Sequence, residues 1–242
     1  MKITILMAMA VFLSPANKHY MGGQKDKKLI VTEIEHDGEA DLVEVSALLE
    51  ARTELNAIDV VNWDAFPYAP KVEFRIARNK NDIWLKYYVT EAHILAKNTE
   101  PNSAVSKDSC VEFFFDPLGD GNYYNFEINC IGTVHLAYGP GRHQREFVDP
   151  EVIRKHIRTA SSLGDRPFSE KKGGHSWEMT VIIPAAVMTF NKGLSLEGSK
   201  AKSNFYKCGD AMSKKHYVTW NPIATEDPDY HRPEYFGDLI FE

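Results

Sequence analysis

A chain of 242 residues, 43% hydrophobic, has enough apolar surface to bury a core without disulfide or metal staples. Its formal charge of −6, with the basic residues scattered instead of striped, argues against a phosphate backbone as the partner. With 13 Phe, 11 Tyr and 4 Trp, aromatics exceed what packing one domain requires, so some are expected to face a ligand.

From the N-terminus, Lys2, the apolar run Ile3 to Leu13 and the small residues Ser14 and Ala16 have the shape of a secretory signal over residues 1–16. The run is too short to span a bilayer. No cysteine stands near Ala16 to carry a lipid anchor. A buried first strand is the alternative; export, to the medium or the periplasm, is the expectation. Residues 17–28 are polar and read as a leader, and 29–242 as one domain. Within it Leu29 to Glu35 reads as a strand, and Leu42 to Arg52 as the one short helix, with Leu42, Val45, Leu48 and Leu49 at helical spacing. Strand patterns follow at Val72 to Ala77, Ile83 to Thr90, Ile153 to Ala160, Trp177 to Ile183, Ser203 to Cys208, His216 to Trp220 and Asp238 to Phe241. So many strands beside one helix predict an all-β, immunoglobulin-like or jelly-roll antiparallel sandwich.

The segment Asp108 to Gly132 is the most informative. Val111, Phe113 and Phe115 alternate with Cys110, Glu112 and Phe114, and Tyr124, Phe126 and Ile128 alternate with Tyr123, Asn125, Glu127 and Asn129. Pro117 to Asn122 supply the turn of a hairpin. The two apolar sets must share the core face, because a one-residue slip would throw them all into water. Glu112 then falls opposite Glu127, with Asn125 and Asn129 alongside. Opposed carboxylates repel, so this patch either recruits basic residues or serves to hydrogen-bond a polyhydroxylated ligand; a plain exposed sheet face is the other reading. Arg142 and Arg145, in the loop after the hairpin, are candidates to pair with the two glutamates. Cys110 lies on the Glu112 face and Cys130 on the core face, so those two point apart, while a bridge to Cys208 stays open.

A sugar site needs an aromatic plane for the C–H face of the ring, with carboxylates and amides at its edge. The Pro-studded C-terminal loop supplies Tyr230, His231, Arg232 and Tyr235. The succession DSCVEFF, NFEINCIG, the Trp177 to Pro184 strand and the closing Phe236-Gly237-Asp238-Leu239 resembles family 9 carbohydrate-binding modules and their DOMON-like relatives, over Ile58 to Phe241. The resemblance implies a non-catalytic sandwich that binds sugar chain ends between two aromatics and supports polysaccharide degradation beside glycoside hydrolases. It maps the family's binding glutamate onto Glu112, its binding asparagine onto Asn129 and one stacking tryptophan onto Tyr230. The family's arginine is matched by Glu127 and its other stacking tryptophan by Val105. Trp63 or Tyr138 is a candidate to replace that lost aromatic.

Three other chemistries compete. Cross-strand Cβ atoms lie about 5 Å apart, near the carboxyl spacing of retaining glycosidases, so a glycoside hydrolase using Glu112 and Glu127 is the alternative function. Against it, a sheet face under short loops is expected to give too little desolvation to keep an acid protonated. Haem ligation by Met212 with His175 or His216 lacks a C-x-x-C-H motif. Calcium has hard oxygens in Asp116, Asp120 and Asn122, which are also ordinary turn formers. No cofactor is expected, and neither a nucleophile elbow nor a phosphate loop occurs.

Overall fold

The computed structural model describes residues 27–242, so the expected signal at 1–16 and residues 17–26 of the leader lie outside the described residues. In chain order the elements are β1 (Lys28–Val31), α1 (Leu42–Arg52), β2 (Asn56–Ala57), β3 (Val60–Val61), β4 (Lys71–Asn79), β5 (Asp82–Ala96), β6 (Cys110–Asp116), β7 (Tyr123–Asn129) and β8 (Val134–Gly139). Then follow β9 (Glu146–Phe147), α2 (Pro150–His156), β10 (Arg158–Ser161), β11 (Phe168–Pro184), β12 (Lys200–Cys208), β13 (Tyr217–Thr219) and β14 (Gly237–Phe241). They form a two-sheet sandwich. The larger sheet runs β1-β14-β12-β6-β7-β8-β9, with β13 on β12 and β3 on β13; the smaller runs β10-β11-β5-β4-β2.

Helix α1 starts where expected because Asp41 caps it, its side chain accepting from Val43 N and Glu44 N while Glu44 reaches back to Asp41 N. A second helix corrects the strand expected over Ile153 to Ala160. Asp149 accepts from Glu151 N and Pro150 occupies the first turn, so the chain turns helical before β10 begins. The alternation missed this start because Ile153 and Ile157 are also four residues apart.

The hairpin register is the one the alternation requires. Val111 pairs with Ile128, Phe113 with Phe126 and Phe115 with Tyr124, while Glu112 faces Glu127. The apolar set enters the core between the sheets, against Phe74, Tyr87, Val89 and Phe205. Strand β8 continues the meander beyond the predicted hairpin, placing His135 opposite Glu127. Tyr138 goes to the opposite side of β8, its ring 4.5 Å from Tyr124 and stacked on Phe190, which removes it as a replacement aromatic for the polar face.

That polar face is not open. Every residue of β6 and β7 is buried on both faces. The β3–β4 loop and the segments preceding β6 and β14 fold across it and bring in Trp63, Val105, Ile223, Tyr230 and Phe236, which join Phe114, Tyr123 and Tyr206 of the sheet in a second aromatic core. The expectation of a solvated sheet face under short loops is thereby corrected. Phe114 and Tyr123 on the same face as Glu112 demanded an apolar cover, and the Pro-studded C-terminal loop is that cover.

The turn after β6 is closed by Asp116, whose two carboxylate oxygens accept backbone N–H groups from Leu118, Gly119, Asp120 and Gly121. Asp120 accepts from Asn122 N in the same way. These bonds are the turn geometry that the residue types suggested.

Candidate functional site

Within the second aromatic core the side chains do not fill all the space. A cavity of about 250 Å³ remains, floored by Glu112 and Glu127 and walled by His135, Arg145, Tyr230 and His231. The sheet places its floor: Glu112 and Glu127 are cross-strand partners, so their Cβ atoms sit about 5 Å apart. Asn125, two residues before Glu127 on the same face, donates its amide to Glu127 Oε1 at 2.8 Å. Arg145 approaches the same oxygen at 3.8 Å and His135 at 3.9 Å. Glu127 is thus surrounded by donors.

Glu112 is not. It is 3% exposed, and the thiol of Cys208 donates to its Oε1 at 3.0 Å. Burial first, and the Glu127 charge second, push its carboxyl well above the usual carboxylate range. Asp210, at the same cavity, is raised by burial too. The two opposed carboxylates therefore differ in their surroundings: Glu127 lies among donors, while Glu112 is held toward its protonated form.

The wall is equally defined. His231 bonds Tyr123 Oη through Nδ1 at 2.7 Å, and Arg145 donates to its Nε2 at 3.5 Å. Burial, with Arg142 and Arg145 nearby, lowers its pKa to about 2, so the ring is neutral. With an arginine donating to Nε2, the proton sits on Nδ1. Tyr230 stacks flat on Tyr206 at 4.1 Å, and its hydroxyl donates to Lys207 O at 3.0 Å. It lines the cavity yet is 6% exposed, so it is a wedged wall of the second core and not the exposed loop platform expected from the sequence.

The remaining expected residues separate. Arg142 lines the cavity but pairs with Asp229 at 3.0 Å instead of with either glutamate. Asn129 is outside it: its amide donates to Asn98 O and Asp108 Oδ2 while its oxygen accepts Thr133 N, which ties the β7–β8 turn to the preceding segment. Trp63 is buried, donates to Thr225 O at 3.0 Å and packs behind Tyr230; it braces the wall without lining it. Val105, aligned with a stacking tryptophan, is buried in the same core.

Sequence reasoning missed His135, Asp210 and Cys208 in the cavity and Phe147 beside it. Phe147 is 58% exposed, with the His135 ring 5.2 Å away and the Arg145 guanidinium 6.0 Å from its centre. Extending the meander by one strand, over Val134 and Leu136, finds His135 by register alone; Phe147 carries no such signal, since β9 is two residues long.

Comparison with known proteins gives a consistent assignment. A family model described as carbohydrate-binding family 9 matches residues 43–241. The fold is similar to that of a protein named for carbohydrate binding from Bacteroides uniformis, at 39% identity and a TM-score of 0.87, covering 90% of this chain and all of that one. It is also similar to a family 9 carbohydrate-binding module from Caldicellulosiruptor kristjanssonii, solved with glucose (14% identity, TM-score 0.57, 89% of this chain and 96% of that one) and with cellotriose (13%, 0.56, 89% and 94%). No curated protein matches the chain.

Proposed function

Because the chain belongs to carbohydrate-binding family 9, a family of non-catalytic modules, we propose that the cavity between Glu112 and Glu127 is its glycan site. The observation that carries this reading is the cross-strand carboxylate pair at the floor of a small cavity. Sugar hydroxyls both donate and accept. Glu127, held by Asn125 and faced by Arg145, offers acceptor lone pairs, while a protonated Glu112 offers a donor and an acceptor in one group. Tyr230 gives the wall an apolar plane, which suits the C–H face of a ring. A space of about 250 Å³ suits one sugar unit, with the rest of a chain leaving past Arg145 and Phe147.

Glucose and cellotriose, held by the Caldicellulosiruptor module, are the first probes. Titration calorimetry with each, on the parent and on Glu127→Ala, is expected to show binding that the substitution abolishes. Equal binding by the variant would remove the cavity from the reading. Hydrolysis is the necessary control, because a raised acid opposite a second carboxylate also meets a requirement of retaining glycosidases. Glu112 is desolvated, contrary to the expectation of an open sheet face, so family membership supports the non-catalytic role. No sugar release from cellotriose is expected.

The same reading includes export to the medium or periplasm by the signal-like residues 1–16 and a supporting role beside glycoside hydrolases in polysaccharide breakdown. Among the described residues no helix is long and apolar enough to cross a membrane. Immunoblotting of cell fractions for the full chain tests the location; retention of the protein inside the cytoplasm would refute it.

A further inference from the structure

Cys208 and Cys110 are direct cross-strand partners of β12 and β6, on the face that carries Glu112. Opposed residues of an antiparallel pair hold their Cα atoms about 4.5 to 5.5 Å apart, inside the 4.4 to 6.8 Å range over which disulfides form. The two sulfurs and a Glu112 carboxylate oxygen all lie within 4.8 Å of one another. Cys208 lines the cavity, while Cys110 lies beneath it in the aromatic core. The third thiol, Cys130, is on the opposite side of the sheet, in the main core with its sulfur against Leu95 O. Geometry thus selects one pair of three.

We propose that Cys110 and Cys208 are a redox pair that closes to a disulfide in the floor of the cavity. Burial favours the closed form electrically. It pushes the Cys110 thiol up to about 12, and the hydrogen bond with Cys110, followed by burial, raises the Cys208 thiol, so in the closed core both stay protonated. A metal held by the two thiolates and Glu112 would leave a buried net negative charge beside Glu127, whereas a disulfide is neutral and apolar. The chemistry needs a low-molecular-weight disulfide as oxidant. Attack takes place where the strand pair is open and the thiols meet solvent, in the folding chain or a locally opened one: there the Cys208 thiol gives up its proton to water and its thiolate attacks the oxidant, forming a mixed disulfide and releasing one thiol. The Cys110 thiolate then attacks the Cys208 sulfur and releases the second thiol, so two protein thiols lose two electrons and one oxidant molecule gains them. Closure removes the sulfhydryl that donates to Glu112 Oε1, freeing that oxygen for another donor.

The test is equilibration of the protein in a glutathione and glutathione disulfide buffer, started both from the denatured chain and from the folded one. Acid quench, alkylation and peptide mass mapping follow. The expected product joins the Cys110 and Cys208 peptides, two hydrogens lighter than their sum, and leaves Cys130 as the single alkylated thiol. In the chain-entropy picture a bridge closing so long a loop raises the folded-to-unfolded ratio by up to about a thousandfold, read as a higher urea midpoint that reductant reverses. Three alkylated cysteines after equilibration from either start, or a bridge that uses Cys130, would overturn the proposal. The pairing stands or falls independently of what the cavity binds.

Discussion

Glu112→Gln separates the electrostatic reading of the site from a merely topological one. Glu112 is 3% exposed, faces Glu127 across the strand pair and has its carboxyl pushed up by burial and by that neighbouring charge. In the unfolded chain the same carboxyl titrates near the ordinary value of about 4.3. From that pH up to the raised folded value, the native state holds a proton that the unfolded state has released. Stability contributed by this group is therefore fully present below about pH 4 and falls as pH rises, by about 1.4 kcal/mol per pH unit. Glutamine is isosteric, keeps an acceptor for the Cys208 thiol and cannot ionise. The variant should match the parent near pH 4 and exceed its stability increasingly as pH rises toward the raised folded value. Urea unfolding at a series of pH values, with slopes compared to confirm an unchanged m, measures this directly. Parallel curves for the two proteins, or a variant less stable at neutral pH, would show that Glu112 is ionised and well partnered, and the donor role assigned to it would be lost.

Tyr230→Ala removes a buried ring stacked on Tyr206, so it should cost about 3 to 5 kcal/mol of folding stability, whereas Tyr230→Phe, losing only the hydroxyl that donates to Lys207 O and, at longer range, Val218 O, should cost about 0.5 to 1.5 kcal/mol; denaturant midpoints distinguish these from the near-zero effect expected of an exposed platform. Phe147→Ala should leave stability within about 0.5 kcal/mol because the ring is 58% exposed. On the glycan reading it should weaken cellotriose more than glucose in calorimetry, and equal losses would place the ring outside the path of the chain. Arg145→Ala should weaken glycan binding while leaving the urea midpoint nearly unchanged, since the guanidinium stays as far as 3.8 Å from Glu127 and at the limit of contact with His231; an unaltered affinity would leave Asn125 and His135 as the groups beside Glu127 that matter.

Period-two alternation made the hairpin register and the Glu112–Glu127 pairing readable, because one buried apolar face admits a single register. It also separated Cys110 from Cys130. What it left out was the second side. Alternation says which face a residue takes, not what covers that face, and the cover comes from Trp63, Val105 and Tyr230, distant in sequence and joined to the sheet only by tertiary packing. Reading Tyr230 as exposed followed from its proline-rich loop, since prolines report backbone restriction and carry no information on burial. Asn129 was placed on the correct face, but its three hydrogen bonds to neighbouring segments were not legible, because their partners Asn98, Asp108 and Thr133 show no pattern of their own.

The floor of the site is also held from behind by chemistry that a core usually avoids. Lys207, between Tyr206 and Cys208, points to the other face of β12 and is 0% exposed. Its ammonium lies 3.0 Å from Glu91 Oε2 and donates to Cys208 O at 2.9 Å and to His216 Nε2 at 2.8 Å, so all three protons are directed at partners. Burial, with the Lys207 charge beside it, holds His216 down to about 2, which keeps that ring neutral and able to accept. Glu91, on β5 of the opposite sheet, also accepts from Trp177 Nε1 at 2.7 Å and from the Ser109 hydroxyl. The network therefore bonds the two sheets to each other directly behind Cys208 and Glu112. Lys207→Met leaves Glu91 buried without its counter-charge and should cost about 3 to 5 kcal/mol, while Lys207→Met combined with Glu91→Leu should recover part of that loss. A double variant no more stable than the single one would mean that the pair, and not the stranded carboxylate, supplies the stability. If stability recovers in the double variant but glycan affinity does not, the network's contribution is to fix β12 under the cavity, because an apolar pair of similar volume restores burial without restoring the hydrogen bond that anchors the Cys208 carbonyl.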